Sequence, residues 1–302
     1  MGSLLSICDI KEDVRHILDL ASKIKAGEME EKPLEGKTLA MIFQKSSTRT
    51  RVSFDVGMYQ LGGRAIFLSS NDLQMGRGEP ISDTAKVLSR FVDGIMIRAV
   101  EHNDVVELAK YSDVPVISGL TNLEHPCQAL ADMLTIKEHF GDWEGKKICF
   151  VGDGNNVCNS LLLIAPLLGM DMSVACPKGY EPNEDILKTA NEWADENNTK
   201  ITVTDDIGVA LENVDVVYTD VWVSMGDEAE AKQREKDLAP FQVNSDLMSL
   251  ANDGAIFMHC LPAIRGQEVT ADVIDGDQSV IYDEAENRMH AQKAVLYNYM
   301  KD

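Results

Sequence analysis

Short apolar runs alternate along this chain with stretches in which apolar residues recur every three or four positions. The short runs predict strands at Thr38–Phe43, Arg64–Leu68, Gly94–Ile97 and Val114–Ile117. A second set follows at Lys147–Val151, Asp171–Ala175, Lys200–Val203, Val214–Tyr218 and Ala255–Met258. The longer periodic stretches predict helices at Thr50–Leu61, Ser82–Phe91, Val105–Tyr111, Gln128–Phe140, Asn156–Leu168 and Glu184–Asn197, with Asp9–Ile24 and Glu284–Met300 at the two chain ends. Strand and helix alternating at this spacing give parallel sheets with crossover helices.

The two strand sets predict an α/β protein of two doubly wound parallel-sheet domains joined by interdomain helices. The first domain is expected over residues 1–134 and the second over 135–282. The C-terminal helix, 283–302, is expected to pack back on the first domain. The segment Phe140-Gly-Asp-Trp-Glu-Gly145 reads as the loop entering the second domain. A chain of 302 residues with 44% hydrophobic content is long enough for two cores.

Charge narrows the partners. Fifty acids against 28 bases leave a formal charge of −22, which argues against nucleic acid and anionic membranes, since both demand basic patches. The surface is expected to be acidic and strongly hydrated. No uninterrupted apolar run is long enough to span a bilayer, and residues 1–9 lack a basic region ahead of an apolar one, so no leader is expected. Six cysteines without a Cys-x-x-Cys pair fit a reduced, cytoplasmic protein better than a disulfide framework or zinc ribbon.

Against this acidic background, residues 46–51 read Ser-Ser-Thr-Arg-Thr-Arg, directly after a strand and at the start of a helix. Helix N-termini favour anions, and here hydroxyls and guanidiniums are added. Arg49 and Arg51 lie two apart, so one can fork onto an anion while the other turns to structural contacts. Arg98 closes the run Gly94-Ile-Met-Ile-Arg98, at a strand's carboxyl end, where open α/β sheets bind ligands.

In His125-Pro-Cys-Gln128, Pro126 suits a first helical turn. That leaves His125 able to donate to a carbonyl oxygen, with Gln128 one turn on. Gly152-Asp-Gly-Asn-Asn156 begins like a dinucleotide fingerprint. Val157 replaces its third glycine, and no acid follows the next strand at Ala175-Cys-Pro177. A nicotinamide site is therefore disfavoured, and Asn155 and Asn156 are read as contacts for a small polar ligand. Asp220, at another strand exit, suits a ligand ammonium. Cys260, in His259-Cys-Leu-Pro262, is a candidate polar or proton-accepting group. His259 and Cys260 are adjacent, which is poor spacing for chelation, so no metal is expected.

Eight motifs in one order resemble the aspartate/ornithine carbamoyltransferase family over nearly the whole chain. They are Ser-Thr-Arg-Thr (47–50), Gln-Met-Gly-Arg-Gly-Glu-Pro (74–80), Arg98, His-Pro-Cys-Gln (125–128), Gly-Asp-Gly-Asn-Asn (152–156), Asp-Val-Trp-Val-Ser-Met-Gly (220–226), His-Cys-Leu-Pro (259–262) and Glu-Asn-Arg-Met-His-Ala-Gln (286–292). The resemblance implies transfer of the carbamoyl group of carbamoyl phosphate to the δ-amine of L-ornithine, giving L-citrulline and phosphate. It implies no metal or organic cofactor, a role in arginine biosynthesis or in arginine breakdown, and a homo-oligomer built on trimers.

Aspartate-using members carry a Pro-Leu-Pro-Arg-type segment where this chain has His259-Cys-Leu-Pro. Putrescine-using members should lack the Ser224-Met225-Gly226 loop, which is intact here. An enzyme acting on putrescine or another amino acid is the alternative. Ile264 is a departure, standing where a polar or aromatic residue is expected.

The resemblance also implies roles. Ser47, Thr48 and Arg49 would hold the phosphate, helped by Arg98. Thr50, Arg98 and His125 would polarise the carbonyl oxygen. Gln128 and the Leu261 carbonyl would accept from the carbamoyl NH₂, with Arg288 and Gln74 reaching the same substrate. Cys260, coupled to Asp220, would take the amine proton. Asp220 and Ser224 would hold the α-ammonium of ornithine, and Asn156 and the Met225 amide its α-carboxylate.

Overall fold

The computed structural model describes residues 2–28, 32–70, 73–74, 78–223 and 228–301. The chain divides into two compact units. One comprises 1–134 with 286–302, and the other 135–285.

In the first unit, β1 (Thr38–Phe43), β2 (Arg64–Ser69), β3 (Gly94–Arg98) and β4 (Val116–Leu120) form a parallel sheet in the order β2-β1-β3-β4. Its helices are α1 (Val14–Lys25), α2 (Thr48–Gln60), α3 (Ile81–Leu88), α4 (His102–Tyr111) and the start of α5 (Pro126–Phe140). Central β1 is buried throughout, and β3 is buried except at Arg98. The second unit is a parallel sheet of β5 (Lys147–Val151), β6 (Asp171–Ala175), β7 (Ile201–Thr204), β8 (Val216–Thr219) and β9 (Ile256–Met258), ordered β7-β6-β5-β8-β9. Its longer helices are α6 (Asn156–Leu167) and α7 (Glu184–Asn197). Shorter ones follow: α8 (Ile207–Leu211), α9 (Ala231–Leu238), α10 (Ser245–Met248) and α11 (Ala271–Ile274). The chain returns to the first unit within α12 (Ile281–Met300).

Both strand orders reverse direction once, between β1 and β3 and between β5 and β8. At such a switch point the connections leave to opposite sides and open a crevice at the strands' carboxyl ends. The predicted residues cluster there: 46–51 follow β1, Arg98 ends β3, 152–156 follow β5, and Asp220 follows β8.

Several elements differ from expectation, for identifiable reasons. α2 begins at Thr48 rather than Thr50, because Ser47 caps it, its Oγ accepting from the Thr50 N–H at 3.3 Å. β4 begins at Val116 rather than Val114 and runs to Leu120. Leu4 pairs along it, donating to the Val116 carbonyl (2.9 Å) and accepting from the Ser118 N–H (2.7 Å). The expected helix from Asp9 is instead a 3₁₀ turn, Ile7–Ile10, capped by Ser6, followed by α1. α8 to α11 had no counterpart in the hydrophobic pattern. They are short, and α9 buries only Leu238.

Candidate active site

In the first unit the predicted groups converge. His125 precedes α5, on a loop held by Thr121, whose Oγ1 accepts from the Leu123 and Glu124 N–H groups at 3.2 Å. Glu124 is buried and accepts from the Ile7 N–H at 3.1 Å. Arg98 is half-buried at the end of β3. The turn after it is braced by Gln44, whose Oε1 accepts from the Val100 N–H (2.8 Å) and whose Nε2 donates to Asp104 (2.8 Å).

Arg288, on α12, ties the network together. It is only 3% exposed. Its Nη2 donates to Thr50 Oγ1 at 2.9 Å, and its Nη1 donates to Gln128 Oε1 and lies 3.4 Å from His125 Nε2. Arginine has only donors, so the last contact requires a lone pair on Nε2 and leaves the His125 proton on Nδ1. Gln128 Nε2 donates in turn to Asp132, buried one helical turn further along α5, at 2.8 Å. A carboxylate acceptor there decides which end of the Gln128 amide is oxygen, and turns that oxygen to Arg288.

Burial holds the His125 imidazole well below its ordinary pKa. The charges of Arg288, Arg98 and Arg49 push it the same way. At neutral pH it is an uncharged donor beside three guanidiniums. Arg51 takes the structural role: its guanidinium stacks 3.9 Å from the Phe67 ring.

Ser47 and Arg49 are half-buried at the start of α2, and Thr48 is exposed there. Gln74 is exposed on the loop after β2, where its carbonyl accepts from the Glu79 N–H at 3.1 Å. No described hydrogen bond joins its side chain to the cluster.

The second unit carries another constellation. Asp220 is 8% exposed and satisfied on both oxygens. Oδ1 accepts from the Val221 N–H (2.8 Å) and the Cys260 thiol (3.1 Å), and Oδ2 from Asn155 Nδ2 (2.7 Å). Asn155 also caps α6, its Oδ1 accepting from the N–H groups of Val157 (3.0 Å) and Cys158 (3.2 Å). Asn156 is the first residue of α6 and is half-buried. Gly154 lets this loop approach its neighbour, since a Cβ there would fall 2.4 Å from the Pro182 nitrogen. Arg234, on α9, donates to Asp153 (2.7 Å) and to the Trp222 carbonyl (3.3 Å), bracing the stretch after Asp220. Ser224 and Met225 lie outside the described residues.

Side-chain ligand atoms of Asp220, His259 and Cys260 lie within 4.8 Å of one another. Both ring nitrogens of His259 are engaged elsewhere, however. Nδ1 accepts from the Leu261 N–H (2.9 Å), and Nε2 faces Glu268 Oε1 (3.1 Å). The three are therefore better described as an acid–thiol pair beside a structural histidine than as a chelating triad. The remaining thiols divide plainly. Burial pushes the thiol pKa of Cys127, Cys149 and Cys176 up to about 12, 11 and 12 and holds that of Cys158 well above its ordinary value, whereas Cys8 is exposed. None of the six cysteines is in a disulfide.

Sequence reasoning missed Asp132, Gln44, Arg234 and Glu268 as supports. Only Asp132 carried a local signal, standing four residues after Gln128 on one helix face.

Residues 3–138 match the family model described as aspartate/ornithine carbamoyltransferase, carbamoyl-P binding domain. Residues 144–299 match aspartate/ornithine carbamoyltransferase, Asp/Orn binding domain. The chain is 79% identical over 301 residues to an ornithine carbamoyltransferase of Methanobrevibacter smithii, covering 100% of both chains. It is 61% identical to one of Methanosphaera stadtmanae, again covering 100% of both. Among solved structures, it matches the ornithine carbamoyltransferase of Pyrococcus furiosus with a TM-score of 0.95 at 54% identity, covering 99% of this chain and 96% of that one.

Proposed function

Because the chain belongs to the aspartate/ornithine carbamoyltransferase family, we infer that it is an enzyme transferring the carbamoyl group of carbamoyl phosphate to the δ-amine of L-ornithine, giving L-citrulline and phosphate. The observation that carries the reading is the buried guanidinium of Arg288, set against Thr50, Gln128 and His125 in the first unit, with the charges of Arg98 and Arg49 also acting on that histidine. A phosphate needs the cations. A carbonyl that becomes an oxyanion needs donors preset where charge develops.

In this reading Ser47, Thr48, Arg49 and the first-turn amides of α2 hold the phosphate, with Arg98 stabilising its departing charge. Thr50 accepts from Arg288 and so keeps its own hydroxyl proton for the carbonyl oxygen. His125 Nδ1–H and Arg98 serve the same oxygen. Gln128 Oε1, with Arg288 on one lone pair, has a second for the carbamoyl NH₂. Leu261 offers its carbonyl to that NH₂ as well, and Gln74 approaches from its loop.

The second unit takes the amino acid. Asp220 and Ser224 hold the α-ammonium, and Asn156 and the Met225 amide the α-carboxylate. The amine attacks the carbamoyl carbon, the carbon–oxygen bond to phosphate breaks, and one amine proton must leave. Cys260 receives it as its own thiol proton passes to Asp220, along the 3.1 Å contact already present. An acid and a thiol suit an amine acceptor; a second carboxylate, as in aspartate, would require a cation there. None of these steps calls on a metal or organic cofactor.

We also propose a homotrimer, or a multiple of trimers, working in the cytoplasm in arginine biosynthesis. No described helix is long and apolar enough to cross a membrane.

Steady-state kinetics of Arg49→Ala and Asn156→Ala tests the division of labour, each substrate being varied with the other saturating. Arg49→Ala is expected to raise the KM for carbamoyl phosphate at least tenfold and that for ornithine less than threefold. Asn156→Ala is expected to do the reverse. Equal effects on both substrates, or crossed ones, would contradict the assignment.

A further inference from the structure

The segment after β9 is held in an unusual way. Three of its backbone N–H groups go to side chains. His259 N–H donates to Glu284 Oε2 (2.9 Å), Leu261 N–H to His259 Nδ1 (2.9 Å), and Ile264 N–H to Glu268 Oε1 (2.6 Å). Because Nδ1 accepts, the ring proton sits on Nε2 and is donated to Glu268 Oε1 at 3.1 Å. Tyr218 Oη, from neighbouring β8, closes the set by donating to Glu284 Oε1 at 3.1 Å. Tyr218, His259, Glu268 and Glu284 are all 0% exposed.

Two fully buried carboxylates are an expensive way to secure a loop. Removing a carboxyl group from water is costly, and packed apolar side chains of similar volume often stabilise a fold at least as well. Apolar neighbours are at hand, since Leu261 and Ala263 pack against the core of this unit. What the acceptors supply that apolar groups cannot is one fixed backbone path, with Leu261 at φ 59°, a conformation side-chain-bearing residues seldom adopt. That path sets where the intervening residue points, and the residue is Cys260, whose thiol meets Asp220.

We propose that Glu268 and Glu284, acting through His259, are positioning residues for the Cys260 thiol and the Leu261 carbonyl. They dictate the thiol–carboxylate contact with Asp220. The proposal rests on the role given to Cys260 above and extends it to residues that touch no substrate.

The test uses the full chain in a Cys8→Ser background, which removes the exposed thiol. Glu268→Met keeps the volume and removes the acceptor, whereas Glu268→Gln keeps an acceptor oxygen for both His259 and Ile264. Two readouts are taken: the rate at which iodoacetamide alkylates Cys260 without substrates, and kcat with the KM for carbamoyl phosphate. For Glu268→Met, alkylation at least fivefold faster is expected, with kcat at least tenfold lower and the carbamoyl phosphate KM within twofold. Glu268→Gln is expected to stay within threefold of the parent on all three. Should Glu268→Met fail to fold, Tyr218→Phe removes one donor to Glu284 and is expected to shift alkylation and kcat twofold or more in the same directions.

A folded Glu268→Met, or in its place Tyr218→Phe, with parental alkylation and kcat overturns the proposal, and so does a Glu268→Gln as impaired as Glu268→Met. Alkylation is read without substrates. A chain that proved to use another amine could therefore still show the effect, while turnover of ornithine without the effect would sink this inference alone.

Discussion

Burial and three positive charges act on His125 in one direction, and the consequence can be measured. Its folded-state pKa lies well below the ordinary value near 6.5, whereas the unfolded chain takes up the proton near that value. The unfolded state therefore binds more protons below about pH 6.5. The stability contributed by the neutral imidazole is complete above that pH and is lost as pH falls toward the folded pKa. His102 and His290 are also lowered and add to the trend with the same sign. Urea unfolding of wild type and His125→Gln between pH 7 and 5 isolates the His125 share. Wild type is expected to lose stability more steeply, by up to about 1.4 kcal/mol per pH unit, the value of one extra proton. Parallel pH dependences would show that His125 is not held neutral.

The residues legible in sequence were those at strand exits in an acidic chain: Arg49, Arg98, His125 and Asp220 each break a local pattern. Glu268 and Glu284 were not legible. In a chain with 50 acids, a carboxylate destined for the interior looks like one destined for solvent. Only the tertiary path that carries Tyr218 and His259 to them reveals the difference.

α2 shows at the scale of one element how a helix can serve two purposes. Thr50, Phe54, Gly57 and Met58 face the interior of the first unit. Val52, Val56 and Tyr59 recur at helical spacing on another side and are exposed, Tyr59 to 79%. Nearby, edge strand β2 exposes Ile66 and Phe67. Apolar stripes of this kind left in water signal an association surface, which supports the oligomer proposed above. Light scattering is expected to give three times the 33.3 kDa chain mass, or a multiple of that. Tyr59→Glu should shift the mass toward one chain. A wild-type mass of a single chain at micromolar concentration would contradict it.

Most elements were legible because a buried parallel strand is a short apolar run bounded by polar residues. The exceptions have identifiable causes: β4 is shifted by its pairing with Leu4, 112 positions before Val116, and α9 has almost no apolar face to read.

Across the whole molecule the formal charge is −22, yet three guanidiniums, Arg288, Arg98 and Arg49, act on the buried His125. Each unit is a doubly wound sheet with one reversal of strand order, and candidate site residues follow the strands at that reversal. The first unit concentrates cations and uncharged donors, as a phosphate and a carbonyl require. The second offers Asp220, Cys260 and asparagine amides, as an amino-acid amine requires. The two halves together make a carbamoyl transfer to ornithine the central claim. The most direct measurement supplies carbamoyl phosphate with L-ornithine, putrescine or L-aspartate in turn, and quantifies phosphate and the carbamoylated product. Citrulline and phosphate in equal amounts with ornithine, and at least a hundredfold slower turnover with the other two, is the predicted result. Comparable or faster turnover of putrescine or aspartate, or no product from ornithine, would contradict the account.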